Sequence, residues 1–527
     1  MPGIVLTNGR IYTLDEDFNR VCTVVIKKSK IIRVTNEFER TADKNSLFID
    51  LKGKTVIPAF CDSHIHLLLY IQSLSQVDLS AAKSLRTVLD LIQNRAKKSN
   101  PGEWILGKGW NINQWSTLEF PDKKSLDKIS PLNPVALSSK DEHLLWVNSL
   151  ALKLAGIDSK FSDPEGGMIE RYISFDEPTG ILKEQAVSLI YKILDKPNAR
   201  DFRKSFCGAA ENAYRLGITS VHNFDGGTIH CLLESMAKEG NLPLRILDFF
   251  RDDQLDYCIS SGISSGEGNE FLKIGGIKFF ADGTLGSRTA LMFEPYEKTD
   301  NDFGIEVTSV RKLESEVTRA NANGLNVAIH AIGDKGVHNA LDAIEHSTKK
   351  NRKRYPNRIE HIQLVRPSDL ERFKNLGVIA SVQPIHAVCD RDAALKHWGK
   401  RAINSYPLSS FLKNKIPTIF GSDCPIENLD PLRGISAAIT RKKNKKDKTS
   451  FLVKEKIGIK EAVLGLTKWP AMASGEGSIK GTIQRGKLAD MIVLSDDIFE
   501  VPPQELPNIE ILATIFDGKI VYGQENL

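Results

Sequence analysis

Cysteine is scarce and unpatterned in this chain. Its seven cysteines are scattered, odd in number and include no Cys-x-x-Cys pair, so neither a disulfide framework nor a zinc ribbon is indicated. A reducing cytoplasm is the expected compartment. Long apolar runs are missing as well: none approaches the roughly 20 residues that cross a bilayer. The opening stretch MPGIVLTNGRIYTLDED lacks a basic segment followed by an apolar one. Neither membrane insertion nor secretion is therefore expected. Charge of one sign is nearly balanced out, with 71 Lys and Arg against 66 Asp and Glu and a net charge of +5. The one dense basic run, RKKNKKDK from Arg441 to Lys448, contains no aromatic residue to stack on a base. It reads as a solvated loop, and no nucleic-acid partner is expected.

Hydrophobic residues make up 41% and charged residues 26% of the 527 positions, the composition of a folded protein too long for one ordinary core. From Ile4 to Val56, short β-branched runs alternate with turn signals such as Asn8-Gly9. The C-terminal tail repeats this style in ADMIVLSDD and ILATIFDGKIVYG. Neither end is long enough to close a core alone, so residues 1–57 and 478–527 are expected to share one composite β-sandwich.

Between these ends, apolar runs alternate with helical patterns, the signature of parallel β/α units. Eight such runs are present: VIPAFCDSHIHL, GITSVHNF, PLRILDFF, IGGIKFFADG, LNVAIHAIGD, RIEHIQLV, VIASVQPIH and IPTIFGSD. Eight is the number that an α/β fold of the (β/α)8 TIM-barrel type requires. The barrel domain is expected over residues 58–477, with a cap inserted at about 74–216 after the first barrel strand.

In VIPAFCDSHIHL, His64 and His66 lie two positions apart, so in a strand both imidazoles share a face and can bind one metal ion. Barrel active sites sit at the C-terminal ends of the strands. The polar residues closing the other runs are His222 and Asn223, Lys278, His330, His361, Gln383 with His386, and Asp423. Each also has a plainer reading. His330 and His361 fit core histidines satisfied by backbone carbonyls, and Asp423 fits a cap on the following segment.

Taken together, these strand ends resemble the metal centre of the amidohydrolase superfamily. The first run matches its Pro-Gly-aromatic-x-Asp-x-His-x-His motif, with Ala59 in place of the glycine. KFFADGTLGSRTA, HAIGD, SVQPIH, GSDCPIENLDPLRGI and DEHLLWVNSLAL extend the likeness over nearly the whole chain, toward the branch that includes N-substituted formamide deformylases. The resemblance implies one ion held by His64, His66 and Asp423, and a second held by His330 and His361. Lys278, carbamylated by carbon dioxide, would bridge them. Imidazole and carboxylate ligands suit zinc first, with manganese, iron and nickel as alternatives.

The implied activity is hydrolysis of a non-peptide carbon–nitrogen bond, in an amide or N-substituted formamide, through a metal-activated hydroxide. Asp423 would be the catalytic proton carrier. Candidate contacts to a small amide-like substrate are His222, Arg288, Gln383, His386, Trp110 and His143. Trp104, Trp110, Trp115 and Trp146 in the cap read equally as an apolar pocket or as the cap's own core. A lactonase or esterase, a deaminase and a non-catalytic regulatory barrel are the rival readings. Ala331, Ile332, Gly333 and Asp334 after His330 argue against the deaminase branch, which places a glutamate there. Relatives of this kind commonly form homodimers.

Overall fold

The eight apolar runs fold as neighbouring parallel strands of one sheet. They are β1 (Phe60–Ile65), β2 (Ile218–Asn223), β3 (Arg245–Arg251), β4 (Leu272–Phe280), β5 (Val327–Ala331), β6 (Arg358–His361), β7 (Ile379–Val382) and β8 (Thr418–Phe420), in that spatial order. The computed structural model describes residues 3–38, 46–112, 115, 120–139, 144–164, 167–173, 176–194, 199–348 and 356–527. Every residue of β1, β2, β5, β6, β7 and β8 is buried. Strands covered on both faces have no solvent side, which is why they read as continuous apolar runs rather than as alternating ones. Helices Val310–Ala322 and Asp334–Thr348 follow β4 and β5. The first buries Leu313, Val317 and Ala320, a stripe at helical spacing.

β1 and β8 meet through a single parallel bridge between Ile65 and Cys424. There the Asp423 N–H donates to the His64 carbonyl at 2.8 Å, and the His66 N–H donates to the Cys424 carbonyl at 2.9 Å. The seam that closes the barrel is therefore the seam that sets Asp423 beside His64 and His66. Sequence positions more than 350 apart become backbone neighbours.

The run from Val56 to Leu67 divides between two sheets. Thr55–Pro58 pairs antiparallel with Met491–Leu494 and parallel with Arg10–Tyr12, in a six-stranded sheet drawn from both ends of the chain. After Ala59 the chain enters β1, and the Phe60 N–H donates to the Gly217 carbonyl at 2.9 Å. A four-stranded sheet, ordered Lys30–Thr35, Thr23–Lys27, Ile4–Thr7, Leu47–Asp50, shares a core with the six-stranded one. Leu6, Val24, Ile26, Val56, Met491, Val493 and Ile515 meet in that core.

The chain divides into two compact units, Met1–Tyr70 with Cys207–Leu527, and Ile71–Phe206. The second unit is inserted between β1 and β2 in sequence. The expected limits of 74 and 216 start inside it and run past its end. It carries its own six-stranded mixed sheet, including Ile105–Trp110, Val135–Ser139, Leu144–Val147 and Pro178–Glu184. Trp110, Trp115 and Trp146 pack together in its core. Among the described residues, no helix is long and apolar enough to cross a membrane.

Candidate metal centre

His64 lies within β1, fully buried, and His66 lies one residue beyond its end. The Asp423 Oδ1 atom is 3.5 Å from Nε2 of His64 and 3.5 Å from Nε2 of His66. The far nitrogens show what these contacts are. His64 Nδ1–H donates to Glu360 Oε2 at 2.6 Å, and His66 Nδ1–H donates to Asp225 Oδ1 at 3.2 Å. A carboxylate only accepts, so the proton of each neutral ring sits on Nδ1 and the lone pair on Nε2. Two imidazole lone pairs then converge on one carboxylate oxygen. His64 Nε2 and Asp423 Oδ1 are both buried without a hydrogen-bond partner among the described residues. Such unpaired acceptors are costly unless a cation joins them. Two imidazoles and a carboxylate are the donor set of a divalent metal ion.

The electrostatics agree. Burial, together with nearby Lys278, pushes His64 down to about 4, so its ring is neutral and free to ligate. His66 moves the other way: burial would lower it, but Asp225 and Asp423 outweigh that and raise it to about 9. In the metal-free protein a proton takes the place a cation would fill. Asp423 is held well below the ordinary carboxylate range. Its burial is overcome by His66 close by and by the His64, His361 and His386 rings.

A second group of convergent atoms joins His361 and His386 to the same aspartate. His386 Nε2 lies 3.6 Å from Asp423 Oδ2; His361 Nδ1 lies 4.0 Å from it but carries the proton that it donates to Gln383 Oε1, which leaves Nε2 as the His361 atom with a lone pair. His361 sits between His64 and His330, with ring centroids 4.7 and 4.6 Å away. His330 Nε2–H donates to the Gly283 carbonyl at 3.1 Å, which leaves Nδ1 as the atom with a lone pair. The backbone-carbonyl partner expected of a core histidine is thus present, without removing His330 from the cluster. The backbone at His361 and Asp423 is left-handed, with φ of 73° and 63°. Non-glycine residues held in that region concentrate where surrounding structure over-determines them, often at functional sites.

Lys278, near the end of β4, is 2% exposed, and among the described residues its ammonium has no hydrogen bond or ion pair. Its ammonium lies 4.5 Å from the Phe224 ring centre and 5.3 Å from that of Phe280. Burial pulls it down to about 8, against the opposing pull of Glu360 and Asp423. Its basicity is thus reduced, although it keeps its proton at neutral pH.

The remaining candidates scatter. His222 is buried within the barrel, where the Arg358 guanidinium donates to its Nδ1 at 2.9 Å. Gln383 Oε1 accepts from His361 Nδ1 at 2.9 Å, so it positions a candidate ligand. Arg288 is half-exposed, 3.6 Å from Asp302, which is the acidic-neighbour pairing open to it from sequence. Trp110 is 2% exposed and donates its indole N–H to the Leu137 carbonyl, a core position within its own unit. His143 lies outside the described residues.

Sequence reading passed over Glu360, Asp225 and Arg358. Arg358 grips both oxygens of Glu360, the carbonyl of Ser63 at 2.7 Å and the hydroxyl of Ser381 at 2.6 Å. The signal was present in RIEH: an arginine and a glutamate two apart in a fully buried strand share one face and must pair.

A (β/α)8 barrel that gathers histidines and an aspartate at the C-terminal ends of its strands defines a metal-dependent hydrolase. The model of the amidohydrolase family, Amidohydro_3, matches residues 47–522. The chain belongs to that family. It is 33% identical to Protein LONG AFTER FAR-RED 3 of Arabidopsis thaliana, over 98% of this chain and 91% of the other. It is 27% identical to an N-substituted formamide deformylase of Arthrobacter pascens, over 99% and 98% of the two chains. Among solved structures it is similar to an uncharacterized metal-dependent hydrolase from Pyrococcus horikoshii. There the identity is 32%, the TM-score 0.80, and the coverage 95% of this chain and 99% of that one.

Proposed function

We propose that this chain hydrolyses a non-peptide carbon–nitrogen bond in a small amide, N-substituted formamides included. The observation that carries the reading is the convergence of His64 Nε2 and His66 Nε2 on an unpaired oxygen of Asp423, each at 3.5 Å. In this reading His64, His66 and Asp423 hold one divalent ion, zinc by preference, and His330 and His361 hold a second. Lys278, as a carbamate formed with carbon dioxide, would supply anionic oxygen ligands to these ions. Its depressed basicity supports that role, because only the neutral amine attacks carbon dioxide. His386 accepts from the Gln363 amide at Nδ1, so its Nε2–H faces Asp423 and the substrate.

When bound, such ions polarise the scissile carbonyl and acidify a water molecule. Asp423 takes the proton that this water loses as it attacks the carbonyl carbon. It returns that proton to the nitrogen as the carbon–nitrogen bond breaks, leaving an amine and an acid. Glu360 and Asp225 keep the His64 and His66 rings from turning while charge moves. The resemblance to a formamide deformylase supports the substrate class, and a cytoplasmic location is part of the same proposal.

The test is a panel of small amides, N-substituted formamides and lactones, offered to protein loaded with zinc or manganese in bicarbonate buffer. Turnover of amides with little or none of lactones is the expected result. Turnover of lactones alone would replace this reading with an esterase on the same centre.

A further inference from the structure

Asn223 closes β2 beside His222 and is fully buried. Side chains alternate along a strand. His222 meets Arg358 inside the barrel, so Asn223 faces the surrounding helices. In register beside it on β3 stands Asp248, also without exposure. Strands covered on both faces are otherwise apolar, and polar groups buried among them must be hydrogen-bonded.

The bonds they make run in one direction. His230, on the helix Gly227–Lys238, donates from Nδ1–H to Asp248 Oδ2 at 2.8 Å. Asn223 Nδ2 donates to Asp248 Oδ1 at 2.7 Å. The amide cannot be reversed, because a carboxylate accepts and only the nitrogen end donates. Its Oδ1 is thereby turned toward the end of β1, where it accepts the Leu67 N–H at 3.0 Å and the Asp225 N–H at 3.4 Å. Leu67 directly follows His66. Asp225 is the carboxylate that accepts from His66 Nδ1–H at 3.2 Å, and its other oxygen accepts the Leu68 N–H. One amide oxygen therefore gathers both the backbone next to a candidate ligand and the backbone of the residue that orients that ligand's ring. His66 depends on such support more than His64 does. It lies one residue past β1 with its side chain 25% exposed, whereas His64 is within the strand and wholly enclosed.

We propose that Asn223 is a positioning residue for metal binding, setting His66 through Leu67 and Asp225, and that Asp248, held by His230, fixes the direction of the Asn223 amide. The proposal rests on the metal-hydrolase reading above, in which His66 is a ligand, and adds the residues that hold that ligand from behind. Groups that orient a ligand in this way typically account for 10–100-fold of metal affinity.

The test measures zinc and cobalt(II) binding to the full chain by chelator competition, together with the visible absorption of bound cobalt, which follows its ligand geometry. Asn223→Leu keeps much of the side chain's shape and removes both its donor and its acceptor. Affinity should fall by about 10–100-fold, with a changed cobalt spectrum. The exchanged pair, Asn223→Asp with Asp248→Asn, sets a donor opposite an acceptor again with the roles reversed, and keeps an acceptor for Leu67. It should recover most of the affinity and the native spectrum. A pair that serves folding alone would lower the thermal unfolding midpoint of Asn223→Leu and leave the affinity and spectrum of the folded protein unchanged; that result overturns the proposal. An exchanged pair that binds as weakly as Asn223→Leu overturns it as well. If Asn223→Leu does not fold, Asn223→Asp alone, which brings two carboxylates face to face, takes its place in the same comparison.

His66→Ala in the same assay separates this proposal from the reading beneath it. Loss of affinity in His66→Ala without loss in Asn223→Leu overturns the positioning role and keeps His66 as a ligand. Unchanged affinity in His66→Ala removes His66 from the metal centre and overturns the proposal with it.

Discussion

Glu360 Oε2 lies 2.6 Å from His64 Nδ1, with neither side chain exposed to solvent. This contact joins β6 to β1 and dictates which nitrogen of His64 faces Asp423. Arg358 keeps Glu360 charged: burial works against ionisation, but the guanidinium and the His64 ring hold the carboxyl well below its usual range. Partners of this kind typically account for 10–100-fold of metal affinity. Glu360→Gln should therefore weaken zinc binding by about that factor, read by chelator competition. Asp225→Asn, acting on His66, should do the same. Unchanged affinity in both would reduce these carboxylates to ordinary barrel packing.

Arg358 poses a stability question rather than a binding one. Arg358→Met leaves Glu360 buried without its cation, a change that costs about 3–5 kcal/mol. The double variant Arg358→Met with Glu360→Gln removes both charges and should recover most of that loss. Urea unfolding of the three proteins measures both effects. A double variant no more stable than Arg358→Met would show that the pairing is not the source of the loss.

Metal uptake should depend on pH through His66. Its pKa in the metal-free protein is raised to about 9, and only the deprotonated ring can ligate. Below that value, binding must expel the His66 proton, so affinity should rise at least about tenfold per pH unit from pH 6 toward 9 and then level off, with Lys278, lowered to about 8, steepening the rise below pH 8. His64 and His330, lowered to about 4 and about 3, are already neutral in this window and add no slope. Uptake titrations at several pH values give the slope directly. A flat profile would mean that His66 is not a ligand.

Asp423 is asked to carry the proton. Asp423→Asn should reduce kcat by about 10²–10⁴, the usual worth of a positioned acid–base group. The fold should survive, because the backbone bond from Asp423 N–H to His64 is untouched. Circular dichroism and turnover on one preparation check both. Near-native turnover would remove Asp423 from proton transfer.

How much of this was legible beforehand differs by level. The barrel was readable because strands buried on both faces leave unbroken apolar runs, and its strand ends followed from the topology. His64 and His66 were visible through their spacing. Asp423 reaches them only through the backbone seam between β1 and β8, so it was found by its place at a barrel strand end and its role came from the family resemblance, not from local pattern. Glu360 and Arg358 were missed because attention to the ends of strands passes over the charged pair just beneath. Arg441, at the head of the basic run, is 1% exposed and donates its Nε to the Phe451 carbonyl; it was misread because local composition cannot tell a solvated arginine from one pinned by a residue further along the chain. Trp110 went to the core of its own unit, where it packs against Trp115 and Trp146.

The measurement that bears most directly on the proposed centre is metal content per chain. It is best taken by elemental analysis on protein purified without chelator in bicarbonate buffer, for the native chain and for Lys278→Ala. Two ions in the native protein, with a sharp fall in the variant, is the result the carbamate-bridged centre predicts. A single ion kept unchanged in Lys278→Ala, or none in either protein, would contradict it.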